Sequence, residues 1–135
     1  VAAGPVENAT PAAQPGPPEG SALSLVQLHE LEAQLEDREL VAMTISTFLA
    51  ELSGRRQGMT DALDTGEHNR LGAIAHTLKS SSALLGAGPL ADACARVERL
   101  AAAAVDAGVL AAAVAEVDRA AAAAEIAMTV YLHAG

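Results

Sequence analysis

The sequence predicts an all-α fold, an up-down antiparallel four-helix bundle with a short extra helix at its N-terminus. No segment alternates apolar and polar residues with the period of two that is typical of strands, whereas apolar residues recur at steps of three and four. Hydrophobic residues make up 51% of the 135 residues, yet the chain has one Phe, one Tyr and no Trp. Alanine must therefore fill much of the core, and it is the best helix former. Short connections between long helices predict antiparallel neighbours.

The N-terminal segment differs in composition from the rest of the chain. Residues 1–20 contain five of the six prolines and show no apolar periodicity. Such a segment cannot bury enough apolar surface to fold alone, so it is predicted to be a disordered Pro/Ala/Gly linker. Residues 21–135 are predicted to form the helical domain, which the linker would attach to a preceding part of a longer protein.

The first two helices have recognisable starts. Ser24 followed by Gln27 predicts a capping box that opens a short helix. Leu25, Leu28, Leu31 and Leu35 lie on one side of this helix. Asp37 is predicted to cap a second, longer helix, in which the apolar pattern weakens at Arg55 and Arg56. Its apolar positions are Val41, Ile45, Phe48, Leu52, Met59 and Leu63.

Three more helices follow, separated by typical helix-ending residues. Glu67 is expected to place negative charge in the first turn of the third helix. Gly86 and Gly88 stop that helix, and Pro89 suits the first turn of the fourth. The predicted apolar stripe of the fourth helix is Leu90, Cys94, Val97, Ala101 and Ala104. That of the fifth is Leu110, Val114, Val117, Ala121, Ala124, Met128 and Tyr131.

Charge and missing motifs exclude several functions. Lys and Arg number 8 against 17 Asp and Glu, and the net charge of -9 would repel nucleic acids and anionic membranes. Charged residues interrupt every apolar run, which predicts no membrane-spanning helix. Phosphate-binding glycine motifs are absent, and the four histidines lack the spacing of a helical zinc site. We therefore expect no bound cofactor and no metal site, and the lone Cys94 cannot form an internal disulfide.

The third helix has an unusual exposed face. Its predicted buried stripe is Leu71, Ile74, Ala75, Leu78, Ser82 and Leu85. The opposite side is Asn69, Gly72, Ala73, His76, Ser80, Ala83 and Ala87, with Lys79 at its margin. Small residues thus surround one imidazole, which leaves His76 open to a partner protein. A neutral imidazole is a nucleophile through a ring nitrogen, and Lys79, one turn further on, can pair with phosphate oxygens.

The run AHTLKSSSALLGAGPLADACARVERL closely resembles the phosphoacceptor segment of histidine-containing phosphotransfer (Hpt) domains. The family pattern reads His-x-Leu-Lys-Gly/Ser-Ser-Ser/Ala, followed by Gly, Leu, Cys and a Glu in the next helix. The resemblance covers about residues 24–131 and implies that His76 is the phosphorylated residue and Lys79 the supporting cation. Gly86 would mark the helix end, and the pattern would continue through Leu90, Cys94 and Glu98. Ser80 stands where many members have Gly.

This resemblance implies a phosphorelay intermediate in two-component signal transduction. The exposed histidine would accept a phosphoryl group from the aspartyl phosphate of a response-regulator receiver domain and pass it to another receiver. The receiver would supply Mg²⁺, and it would dock on Gly72, Ala73, Ser80, Ala83 and Ala87. The domain itself is expected to have no autonomous catalysis.

The resemblance also implies a cellular setting. The linker is similar to those that tether a C-terminal Hpt module within a hybrid sensor histidine kinase. That setting implies a cytoplasmic location, including the cytoplasmic part of a membrane sensor kinase. Neither nucleic acid nor direct membrane contact is expected, and the isolated domain is expected to be monomeric.

Two alternatives remain at the level of sequence. The phosphoacceptor domain of a chemotaxis-type histidine kinase shares the H-x-x-K-[GS] segment, although Cys94 followed by Arg96, Val97 and Glu98 looks less like that branch. A non-catalytic, Ala-rich helical interaction module is the other alternative.

Overall fold

The computed structural model describes residues 21–134, and these residues form five α-helices. The helices are α1 (Leu25–Leu35), α2 (Arg38–Asp64), α3 (His68–Leu84), α4 (Gly88–Ala102) and α5 (Ala107–His133). No strand occurs in this part of the chain, so the predicted all-α class is confirmed. The predicted linker at residues 1–20 lies outside the described residues.

The helices α2 to α5 enclose one aliphatic core. α3 packs against α2 and α4, while α5 packs against α4 and α2, which closes the ring. α1 packs on the outside of this group, against α2. All seven residues of the predicted apolar stripe of α5 are buried, and so are the first four of the stripe of α4. Ala104 is exposed, because α4 ends at Ala102 and Ala104 adopts a positive φ of 51° in the following turn.

The start of α2 agrees with the sequence. Oδ1 of Asp37 accepts hydrogen bonds from the backbone N–H groups of Glu39 and Leu40, at 2.9 and 3.2 Å. The helix then continues without a break through Arg55 and Arg56, where the apolar pattern weakens. Both arginines are half-buried and form ion pairs, with Glu51 at 3.0 Å and Asp118 at 3.1 Å. The ion pairs replace apolar contacts in this turn.

The start of α1 differs from the predicted capping box. The Oγ of Ser24 accepts a hydrogen bond from the backbone N–H of Gln27 at 3.1 Å, as expected. The Gln27 side chain, however, donates to the backbone carbonyls of Ala83 and Leu84 at the end of α3. Glu67 also differs slightly, because it precedes the first turn of α3 and makes no side-chain cap hydrogen bond.

The described helices include none that is both long enough and apolar enough to cross a membrane.

Candidate functional site

His76 lies near the middle of α3, on the side that faces away from the core. Four residues of the helix, Leu71, Ala75, Leu78 and Ser82, are buried and fix its orientation. The His76 side chain is 60% exposed as a result. Its predicted neighbours Asn69, Ala73, Ser80 and Ala83 are exposed as well. A large part of the predicted open face is therefore present around the imidazole.

Two of the predicted small residues are placed differently. Gly72 is half-buried and turns toward α4, where an added Cβ would lie 3.7 Å from the Cβ of Ala101. Ala87 is fully buried, so its expected position on the exposed face is wrong. The physical reason is that α3 ends at Leu84, and beyond that residue the chain no longer follows the helical period.

Glu98 of α4 joins the two predicted site residues. Its Oε2 lies 2.8 Å from Nδ1 of His76, and its Oε1 lies 2.6 Å from Nζ of Lys79. The side chains of Glu98 and Lys79 are each 33% exposed, so this cluster sits at the edge of the α3–α4 contact. The hydrogen bond from Lys79, and secondarily the one from His76, holds the pKa of Glu98 below its ordinary value of 4.5. Glu98 is therefore a carboxylate at neutral pH.

This contact determines which ring nitrogen carries a proton. A carboxylate only accepts hydrogen bonds, so Nδ1 of His76 must donate. When the imidazole is neutral, Nε2 then carries the free lone pair. A hydrogen-bonded carboxylate also fixes the tautomer and the orientation of the ring. The arrangement can therefore present Nε2 as a nucleophile on an exposed helix surface.

The remaining polar groups of the motif have other contacts. Oγ of Ser80 donates to the backbone carbonyl of His76 at 3.2 Å. Ser82 is fully buried, and its Oγ has no hydrogen-bond partner among the residues that the structure describes. Cys94 is fully buried too, and burial raises the pKa of its thiol to about 12, so it stays protonated and serves packing. Within residues 21–134, no group of three His, Cys, Asp or Glu side chains is arranged to hold a metal ion.

Sequence reasoning assigned no role to Glu98. The family pattern includes this glutamate, but a pattern along the chain does not show that its carboxylate meets His76 and Lys79. The available signal was the position of Glu98 one turn after Cys94 on the predicted α4, on a helix expected to be adjacent to α3.

The family of this chain is established by its similarity to known proteins. The family model of the Hpt domain matches residues 43–128, which is more than half of the chain and includes the whole cluster. The chain belongs to the Hpt domain family. Hpt domains act in two-component phosphorelays and work with response-regulator receiver domains.

A solved structure supports the fold of this Hpt domain. The chain is similar to histidine-containing phosphotransfer protein B (HptB) from Pseudomonas aeruginosa PAO1, with a TM-score of 0.73 and 23% sequence identity. The match covers 84% of this chain and 96% of the HptB chain. No match was found among curated proteins.

Proposed function

We propose that this Hpt domain is a phosphorelay intermediate in which His76 accepts a phosphoryl group from the aspartyl phosphate of one receiver and passes it to another. The hydrogen bond between Nδ1 of His76 and Glu98 carries this proposal. It keeps the proton on Nδ1 and leaves Nε2 as the nucleophile on an open face.

The proposed transfer conserves charge and atoms at the imidazole. The lone pair of Nε2 attacks phosphorus, an N–P bond forms, and the P–O bond to the receiver's aspartate breaks, which releases a carboxylate. The ring keeps its Nδ1 proton and becomes positively charged. Glu98, 2.8 Å from Nδ1, stabilises that charge as it develops. Transfer to the second receiver is the same step in reverse.

Lys79 has a second role in the proposal. In the unphosphorylated domain its ammonium group is paired with Glu98 at 2.6 Å. Phosphoryl oxygens on Nε2 add negative charge nearby, and the flexible lysine side chain can turn toward them. Glu98 then keeps its contact with the charged imidazole ring.

The exposed residues Ala73, Ser80 and Ala83 form the proposed docking face for the receiver, with Gly72 at its margin. Their small side chains let the receiver's active site approach Nε2 closely, and the receiver supplies the Mg²⁺. We propose that the domain itself holds no cofactor and is monomeric when isolated.

We also propose a cellular setting and a helix arrangement for this domain. The domain would be tethered through residues 1–20 to a hybrid sensor kinase on the cytoplasmic side, which raises the local concentration of the donor receiver. We also propose that α2 to α5 alternate up and down, because connections of three or four residues join helices that pack side by side.

A labelling experiment tests the function. The purified domain is incubated with a receiver carrying a ³²P-labelled aspartyl phosphate, and acid-labile label on the domain is measured. We expect His76→Gln to abolish labelling and His68→Gln, on the same helix, to retain it. Equal labelling of the His76→Gln variant would refute His76 as the acceptor. No labelling of the folded wild type by any receiver would favour the non-catalytic interaction module.

A further inference from the structure

The N-terminal end of α1 is joined to the C-terminal end of α3, the helix that carries His76. The backbone N–H of Ser24 donates to the carbonyl of Gly86 at 2.8 Å. The side-chain amide of Gln27 donates to the carbonyl of Ala83 and, at 3.3 Å, to that of Leu84. The last carbonyls of a helix have no partner within the helix. The Gln27 side chain of α1 therefore bonds to two of those of α3, of which the Ala83 carbonyl also accepts from the backbone N–H of Gly86 at 3.3 Å.

Gly86 is required for this set of contacts between α1 and the end of α3, which we call the first joint. Its φ of +82° lies in the left-handed region that favours glycine. A Cβ at this position would lie 3.1 Å from the carbonyl oxygen of Ser24, which is tighter than ordinary contact. Glycine thus allows both the turn after α3 and the close approach of α1.

A second set of contacts, the second joint, lies near the C-terminal end of α1. Glu32 accepts a hydrogen bond from the hydroxyl of Tyr131 in α5 and lies 3.5 Å from Nε of Arg38 in α2. The guanidinium of Arg38 also lies 4.7 Å from the centre of the Tyr131 ring. Burial and the carboxylate of Glu32 raise the pKa of Tyr131 to about 12, so its hydroxyl stays a donor at neutral pH.

Between these two joints, α1 buries few apolar side chains. Leu28 is the one fully buried residue of α1, whereas Leu25 and Val26 are each more than half exposed. The helix has 11 residues, and isolated helices of that length are marginal in water. Leu31 is partly buried against the core, and Leu23, just before the helix, is 5% exposed, so a few apolar contacts and the two joints together hold α1 in place.

We propose that α1 is a detachable clamp that opens as a unit while α2 to α5 stay folded, and that its opening loosens the last turn of α3. Local opening of this kind is expected where few apolar side chains are buried. The loosened turn includes Ala83, which is exposed on the same side of α3 as His76. A ligand that binds α1 better in one of the two states would shift their populations. The clamp itself does not depend on the proposed phosphotransfer.

Native-state hydrogen exchange, followed by NMR on the full chain, tests the clamp. We expect amides of α1, such as that of Leu31, to exchange at least about tenfold faster than those of the α2 core, such as that of Ile45. Exchange of both at one common rate would overturn the proposal, because α1 would then open only when the whole domain unfolds.

Matched variants test the joint at α3. We expect Gln27→Ala to speed exchange of the α1 amides and of the Gly86 and Ala87 amides, which donate to carbonyls of the last turn of α3. The control is Gln34→Ala, since Gln34 is exposed on the same helix and its side chain makes no hydrogen bond to the described residues. The effect on Gly86 and Ala87 should be about fivefold, with no change in α2. Equal effects of the two variants would overturn the proposal.

A variant at the other joint gives an independent measurement. Tyr131→Phe removes the hydroxyl that donates to Glu32. We expect the amides of α1 to exchange about fivefold faster or more, while exchange in α2 stays unchanged. Unchanged exchange in α1, or equally faster exchange in α2, would contradict a separate clamp.

Discussion

Ser82 offers a sharp test of the packing beneath the histidine helix. Its side chain is fully buried in α3, and its Oγ has no hydrogen-bond partner within residues 21–134. A hydroxyl buried without a partner costs about 1–3 kcal/mol in proteins. Alanine removes the hydroxyl, keeps the Cβ and has the higher helix propensity, by up to about 0.5 kcal/mol. We therefore expect Ser82→Ala to raise the free energy of unfolding by about 1–2 kcal/mol.

Urea unfolding and calorimetry measure this effect. For a domain of about 100 residues, 1 kcal/mol corresponds to a shift in Tm of about 4–8 °C, so Tm should rise by roughly that amount or more. Ser80→Ala is the matched control, because Ser80 is exposed two residues away and its hydroxyl already donates to the His76 carbonyl, so alanine there gains helix propensity without relieving a buried, unpaired hydroxyl. A loss of stability in Ser82→Ala, or a gain no larger than that of Ser80→Ala, would refute the argument that the buried hydroxyl is unsatisfied.

Three further predictions concern Glu98 and the glycines. Glu98→Ala should slow labelling of His76 by about 10–100-fold, and Glu98→Gln by less, because its amide oxygen still accepts from Nδ1; equal rates in a timed phosphotransfer assay would contradict the role of this contact. Because the pKa of Glu98 is lowered in the folded protein, its carboxylate stabilises the fold above the ordinary value of 4.5, and this stabilisation is lost as the pH falls through the lower folded pKa. Lys79→Met should raise that pKa toward 4.5 in a ¹³C NMR titration of the carboxyl, and an unchanged value would show that Lys79 is not its main partner. Gly86→Ala should destabilise the domain by about 1–2 kcal/mol, since its φ is positive, whereas Gly54→Ala, in open space inside α2, should stabilise it by about 0.5–1 kcal/mol; urea unfolding of the two variants should therefore shift in opposite directions.

The sequence predicted most of the helices because their apolar period is a local property. The buried residues of α5 follow it at every predicted position, and Asp37 caps α2 through a local side-chain contact. The predicted exposure of Ala87 was wrong, because a helical wheel extended to Ala87 ignores the turn that begins after Leu84.

The parts that were not predicted depend on contacts between distant segments. Gln27 was expected to cap its own helix, but it donates to carbonyls 56 and 57 residues away. Glu98 lies 22 residues from His76, and its carboxylate bonds to both His76 and Lys79. Such contacts require the positions of two packed helices, which no spacing within one helix supplies.

The aromatic content of the chain has a practical consequence. Tyr131 is the single tyrosine, tryptophan is absent, and the tyrosine hydroxyl is bonded to a carboxylate of α1. Almost all near-ultraviolet absorption and emission of the domain therefore arises at the contact between α1 and α5. Carboxylate acceptors quench tyrosine emission, so departure of α1 should brighten the protein. The chain thus contains a natural optical reporter of the state of its N-terminal helix.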